Sequence, residues 1–217
     1  MVRYGMLVEA DKCIGCDICL KACKDEYVGN DYLPNSAAAP ETSYGYGGNE
    51  TYGWPDTPST LTPWVAHGHL WMNVLEQISG KYPNVSMRYV PLPCVHCDDA
   101  PCAKAATNNA IYTRDDGIVI IDPEKSNNQK QIVDSCPYGV IYWNTSKMIP
   151  QKCTFCAHLA GTGKQPRCVE ACPLTVLTFG DISDPNSDIS KKIASTQAKP
   201  LHPEYATKPK VYYAGLT

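Results

Sequence analysis

Twelve cysteines in a chain of 217 residues are the part of this sequence that could do chemistry. Cys13, Cys16, Cys19 and Cys23 follow one another at x2, x2, x3. Cys94, Cys97 and Cys102 follow at x2, x4, with Cys136-Pro137 far downstream. Cys153, Cys156, Cys168 and Cys172-Pro173 follow at x2, x11, x3. Thiol groups this dense serve disulfides, zinc or iron–sulfur clusters.

The spacing separates these chemistries. The first group has the bacterial ferredoxin pattern C-x2-C-x2-C-x3-C. A cubane has four corner irons, each needing one thiolate. Three sulfurs converge from a tight loop. The fourth cysteine sits about a helical turn further on, faces away and ligates the other cluster of a pair. The prolines after Cys136 and Cys172 suit the end of such a loop. Applied here, Cys13, Cys16 and Cys19 take Cys172 as fourth ligand. Cys153, Cys156 and Cys168 take Cys23. Cys94, Cys97, Cys102 and Cys136 remain for a third cluster. The expected cofactors are three [4Fe–4S] clusters with no cysteine left over.

A complete second pair would need cysteines at Ala106, Ser126, Gln129 and Ile132. All four are absent, and together they are the ligand set of one cluster. The pattern is a four-cluster plan with one cluster deleted. Structural zinc also uses C-x2-C knuckles, but not four cysteines packed as in the first group. A disulfide framework suits neither the x2 spacings nor the opening ten residues, which lack an apolar signal core and a cleavage site.

Other residues say less. His96 lies between Cys94 and Cys97, where the thiol count is already full. It reads as a neighbour of the site or a surface residue. His67, His69, His158 and His202 have no paired spacing. Lys152 and Arg167, next to Cys153 and Cys168, could raise a cluster's potential by placing positive charge near it. No Gly-rich phosphate loop, nucleophile–base pair or flavin fingerprint is present, so no catalytic residue is assigned.

The elements that must hold these groups are short. Residues 2–9 alternate as a strand, and a helix follows over about 20–28. Residues 70–78 suit either helix or strand. Residues 86–92 read as a strand. Ile111–Arg114 and Ile118–Ile121 flank Asp115-Asp116-Gly117 as a hairpin. Residues 140–143 and 176–180 are further strands. From Asp181 the chain is polar, with one β-prone patch at 211–213, and reads as a draped tail.

Residues 29–66 have no period and hold Tyr44, Tyr46, Tyr52, Trp54 and Trp64. Such aromatics favour contact with a partner over solvation. The 15 Gly and 18 Pro imply many turns, and 14 Tyr against 2 Phe suit wet or interfacial positions. A net charge of −3 argues against nucleic acid as a partner. No apolar run reaches the roughly 20 residues of a membrane span. The expected location is cytoplasmic, unless a twin-arginine-bearing partner carries the chain out.

These residues resemble the iron–sulfur (β) subunits of the dimethyl sulfoxide reductase superfamily of molybdopterin oxidoreductases. The resemblance rests on the cysteine groups, Pro93-Cys94 to Pro101-Cys102, Arg114-Asp115-Asp116-Gly117-Ile118-Val119, Cys136-Pro137-Tyr138-Gly139-Val140, Gln151-Lys152-Cys153-Thr154-Phe155-Cys156 and Thr207-Lys208-Pro209-Lys210-Val211-Tyr212-Tyr213. The three-cluster plan, with Gly68-His69-x-Trp71-Met72-Asn73, is similar to small subunits of ring-hydroxyl transferring members.

That resemblance implies an α+β fold of two ferredoxin-like modules of the 4Fe-4S dicluster type. Residues 1–29 with 147–180 would hold two clusters and 87–146 one. Residues 30–86 would be a partner-contacting insertion, and 181–217 a C-terminal tail. It implies an electron-transfer subunit in a heterodimer. A large catalytic subunit would carry a molybdenum or tungsten bis-pterin and act on catechol- or pyrogallol-type rings. A further electron donor or membrane-anchor subunit is compatible with it. The rival classes are a free-standing polyferredoxin and a subunit whose clusters only hold the fold.

Overall fold

The computed structural model describes residues 1–27, 71–144 and 147–216. The partner-contacting reading of residues 29–66 lies outside the described residues. In chain order the strands and helices are β1 (Tyr4–Glu9), α1 (Ile18–Tyr27), β2 (Met72–Lys81), β3 (Asn84–Pro93), α2 (Pro101–Ala105), β4 (Ile111–Thr113) and β5 (Val119–Ile121). Then come α3 (Gln131–Asp134), β6 (Tyr142–Asn144), β7 (Ile149–Gln151), α4 (Arg167–Glu170), β8 (Leu177–Asp181), α5 (Asp188–Thr196), β9 (Lys199–Pro200) and β10 (Val211–Ala214). The mixed α and β character with small sheets agrees with the expected class.

The largest sheet has the order β8-β1-β10-β9. β1 lies inside it, antiparallel to β8 (Met6 opposite Phe179) and parallel to β10 (Leu7 opposite Tyr212). Its Met6, Leu7 and Val8 are wholly buried. A strand covered on both faces reads as a continuous apolar run. This sheet brings the N-terminal cysteine loop, just after β1, beside the loop just before β8.

β2 and β3 form a ten-residue hairpin from Met72–Pro93 to Lys81–Asn84. Residues 72–78 of the ambiguous run 70–78 therefore resolve as strand, and residue 70 lies outside the described residues. Pro91 and Pro93 are tolerated because both strands of a two-stranded ribbon are edges. The division drawn between residues 86 and 87 passes through this hairpin, since cross-strand pairing makes it one unit. The hairpin at 111–121 forms as expected, with Gly117 at φ +83° in its turn. β6 pairs with β7, a strand that the sequence pattern did not reveal.

The draped tail needs correction. Ser187 caps α5 by accepting from the Ser190 N–H at 3.2 Å. Ile189 of α5 packs on Leu7 and Ala214. β10 fills the second edge of β1, and its Val211 and Tyr213 are buried. The tail is part of the core because β1 needs a neighbour on each side.

Candidate functional site

Three C-x2-C loops share one backbone device. In each, the residue just before the second cysteine is left-handed: Gly15 (φ +68°), His96 (φ +46°) and Phe155 (φ +53°). That turn aims its N–H back at the first sulfur. His96 N donates to Cys94 Sγ at 3.5 Å and Phe155 N to Cys153 Sγ at 3.4 Å. The Gly15 N–H serves Cys13 in the same way. Glycine is required at 15 because a Cβ there would enter the Tyr89 ring. Non-glycine residues at the other two positions are strained. They hold each other, with the His96 and Phe155 rings stacked at 3.7 Å.

The tertiary structure gathers the cysteines in fours. Cys13, Cys16, Cys19 and Cys172 line one cavity with apolar walls that include Val74, Pro91 and Leu177. Val176 N donates to Cys172 Sγ at 3.3 Å. Cys94, Cys97, Cys102 and Cys136 line a second cavity, with Lys152 and Val119. Cys23 on α1 lies close to Cys153, Cys156 and Cys168, with Cys19 of the same helix also in reach. Burial first, then the charges of Cys153, Cys156 and Cys19, pushes its thiol far up; burial, then Cys23, Cys153, Cys156 and Cys19, does the same for Cys168. Burial likewise raises Cys19, Cys136 and Cys153 to about 12 and Cys102 to about 11. Among the described residues no three His, Cys, Asp or Glu side chains close on a single-ion position. A thiol-only donor set around an apolar space suits a cluster with four thiolate ligands, and these residues fit that group.

The surrounding polar residues are mostly buried. His96 is not at the surface; it is fully enclosed, and its Nδ1 accepts from Val119 N at 3.0 Å. Burial, then the nearby Lys152 and Lys210 charges, holds its pKa far down, so it stays neutral. Arg167 Nε donates to Glu26 Oε2 at 2.7 Å and its Nη1 to Glu170 Oε2 at 2.5 Å. Its charge is shared with these two carboxylates, and part of it still acts on the Cys156 thiol, whose pKa it lowers against the larger effect of burial. His158 Nε2 meets Glu26 Oε1 at 2.8 Å. Tyr27 OH and Thr154 Oγ1, 2.7 Å apart, complete the tie between α1 and the 153–172 loop.

Sequence reasoning missed the tail's part in the second cavity. Lys208 and Thr207 carbonyls accept from Asp98 N and Asp99 N. Lys210 Nζ reaches His96 O and Asp98 Oδ1, both at 2.6 Å. Thr207 Oγ1 and Tyr138 OH stand 2.7 Å apart. A polar tail gives no periodic signal, and only the short run 207–213, carried by resemblance, pointed here.

The four positions without cysteine are filled. Ile132 and Ser126 are wholly buried. Gln129 accepts from Thr107 N at 2.8 Å and donates to Thr107 O at 3.2 Å and Lys125 O at 2.7 Å. It latches this segment to the chain beside Ala106.

Residues 85–182 match the family model described as a 4Fe-4S dicluster domain. The chain is 36% identical over 220 residues to the pyrogallol hydroxytransferase small subunit of Pelobacter acidigallici, covering 100% of this chain and 70% of that relative. It is 32% identical over 243 residues to a putative iron-sulfur subunit of dimethyl sulfoxide reductase from Halobacterium salinarum, covering 98% and 79%. The chain belongs to the iron–sulfur (β) subunits of the dimethyl sulfoxide reductase superfamily. An arsenate respiratory reductase iron-sulfur subunit of Shewanella sp. (strain ANA-3), 26% identical, covers 98% of the chain and 96% of the relative. As a member of this superfamily's β subunits the chain is an electron-transfer component of a molybdopterin oxidoreductase complex, without a catalytic centre of its own.

Proposed function

We propose that this subunit carries three [4Fe–4S] clusters and exchanges single electrons with a molybdenum or tungsten bis-pterin centre in a large partner subunit. Cys13, Cys16, Cys19 and Cys172 would hold the first cluster. Cys153, Cys156, Cys168 and Cys23 would hold the second. Cys94, Cys97, Cys102 and Cys136 would hold the third. The observation that carries the reading is the gathering of eight thiols around two apolar cavities, four at each, with Cys23 close to Cys153, Cys156 and Cys168. The filled positions Ala106, Ser126, Gln129 and Ile132 support three clusters over four. The clusters supply one-electron storage; this chain's residues bind them, exclude water and donate N–H groups to sulfur. Two ferredoxin-like modules are supported by the pairing of β1 with β8 and by the separate 94–136 cavity.

The partner's substrate would be a hydroxylated aromatic of the catechol or pyrogallol type. Support comes from the Pelobacter relative, a pyrogallol hydroxytransferase small subunit. A second reading, clusters that chiefly hold the fold beside a redox-neutral reaction, is favoured by the cysteines' place in the apolar core.

Anaerobic native purification tests these readings. The expected result is about twelve iron atoms per chain, four per cluster, and co-purification with a large pterin-bearing subunit. Zinc in a colourless sample would overturn the cluster reading. Clusters that stay oxidised while substrate is turned over, and that dithionite reduces, would favour the structural role.

A further inference from the structure

Lys152 is 1% exposed, although it carries an ammonium group. Its Nζ donates to Val119 O at 2.5 Å and to Cys153 O at 3.1 Å. Both acceptors are neutral. Among the described residues no carboxylate forms an ion pair with it. Two other cations close to the cysteines differ. Lys210 has Asp98, which Arg3 also engages. Arg167 has Glu26 and Glu170.

A buried ammonium without counter-charge is strongly unfavourable. The fold must therefore supply negative charge from another source. The Lys152 side chain lines the cavity of Cys94, Cys97, Cys102 and Cys136. Four thiolates there, loaded with iron and sulfide, are a net anion that becomes more negative on reduction. Lys152 also feels Cys102 and Cys153 electrostatically, which agrees with its place beside one set and next in sequence to another.

We propose that Lys152 is the fixed counter-ion of the third cluster and raises its reduction potential. The inference rests on the cluster reading given above. The step it affects is the uptake of one electron with no proton. The lysine's charge favours the state holding the extra electron. Hydrogen bonds to two main-chain carbonyls fix where that charge sits. This is a tuning role, by charge and burial around the site.

The test is potentiometric titration, followed by electron paramagnetic resonance, of the natively purified anaerobic complex. Lys152→Gln keeps N–H donors for the Val119 and Cys153 carbonyls but removes the charge. Lys152→Arg keeps the charge. At a fixed ambient potential, Lys152→Gln should lower the reduced-to-oxidised ratio of one cluster about tenfold, a shift of about 59 mV for one electron. Lys152→Arg should restore it, and the wave of the Cys13, Cys16, Cys19 and Cys172 cluster should not move. Loss of the third cluster in Lys152→Gln but not in Lys152→Arg would equally support the counter-ion role. Unchanged potentials in Lys152→Gln, or cluster loss in both variants, would overturn it. Wild-type protein short of the third cluster's iron would instead refute the cluster reading.

Discussion

Lys210, near the end of the described chain, places its ammonium 2.6 Å from Asp98, one residue past Cys97. The lysine side chain is 2% exposed and that of the aspartate 30%. The strap that leads into β10 thus holds the 94–102 loop, with Lys210 N donating to Val95 O at 2.8 Å. The position of the second cavity is set by residues far from it in sequence.

Lys210→Met should leave Asp98 with only Arg3 and the His96 carbonyl without its charged donor. The expected cost is on the order of 2 kcal/mol, less than for a fully buried pair because Asp98 is partly wet. Thermal unfolding of the holoprotein would read it. Iron analysis should show about four atoms lost first, one cluster's worth, while Asp25→Asn on the exposed face of α1 should change neither.

Paired substitutions would check the ligand sets. Cys172→Ser and Cys16→Ser should perturb the same resonance signal, and Cys23→Ser should perturb the one that Cys156→Ser perturbs. If Cys23→Ser and Cys16→Ser proved equivalent instead, the crossing of the two loops would be wrong.

Glu26 joins α1 to the 153–172 loop through His158 and Arg167. Burial raises its carboxyl pKa, but those two partners outweigh burial and hold it below the ordinary 4.5. Glu26→Ala should destabilise the chain by about 1–3 kcal/mol, because it strips a charged acceptor from two partly buried donors. Denaturant melts would show this. A neutral result would mean that the Arg167–Glu170 pair alone holds the loop.

Asp181 offers a pH signature away from the cysteines. It accepts from Arg3 N at 2.9 Å, Ser183 N at 2.8 Å and Ser183 Oγ at 2.6 Å. Burial would raise its pKa, yet these donors lower it below 3.8. A carboxyl lowered in the folded state stabilises above its unfolded value and loses that contribution as pH falls through the folded one. Asp181→Ala should cost about 1 kcal/mol near neutrality, and the difference from wild type should vanish as the pH falls through the carboxyl's lowered folded-state pKa.

The legibility of this chain follows the locality of its signals. Cysteine spacing is local, so the candidate ligands and a proposed grouping of them could be read directly. The hairpin around Gly117 was equally plain, because turn chemistry acts within a few residues; β1 was placed correctly, although its Met6, Leu7 and Val8 are all buried and do not alternate between core and solvent. Residues 70–78 stayed ambiguous since an apolar run without a partner suits helix or strand, and only the pairing of residues from Met72 onward with β3 decided those. The tail misled because polar composition reports solvation of the unfolded segment, whereas β10 is buried by a vacant edge on β1.

By itself the sequence determined the chemistry: twelve thiols in groups whose x2 and x3 steps suit cubane ligation, and gaps at Ala106, Ser126, Gln129 and Ile132 where a fourth set would stand. The tertiary structure alone decided the electrostatics. It buried His96 as a neutral stacked ring, compensated Arg167 with Glu26 and Glu170, and left Lys152 facing the thiols with only carbonyls for company. Adjacency to a cysteine does not say whether a charge is screened. That depends on which distant carboxylates and carbonyls the folded chain brings within hydrogen-bond reach, and on how much water it leaves there.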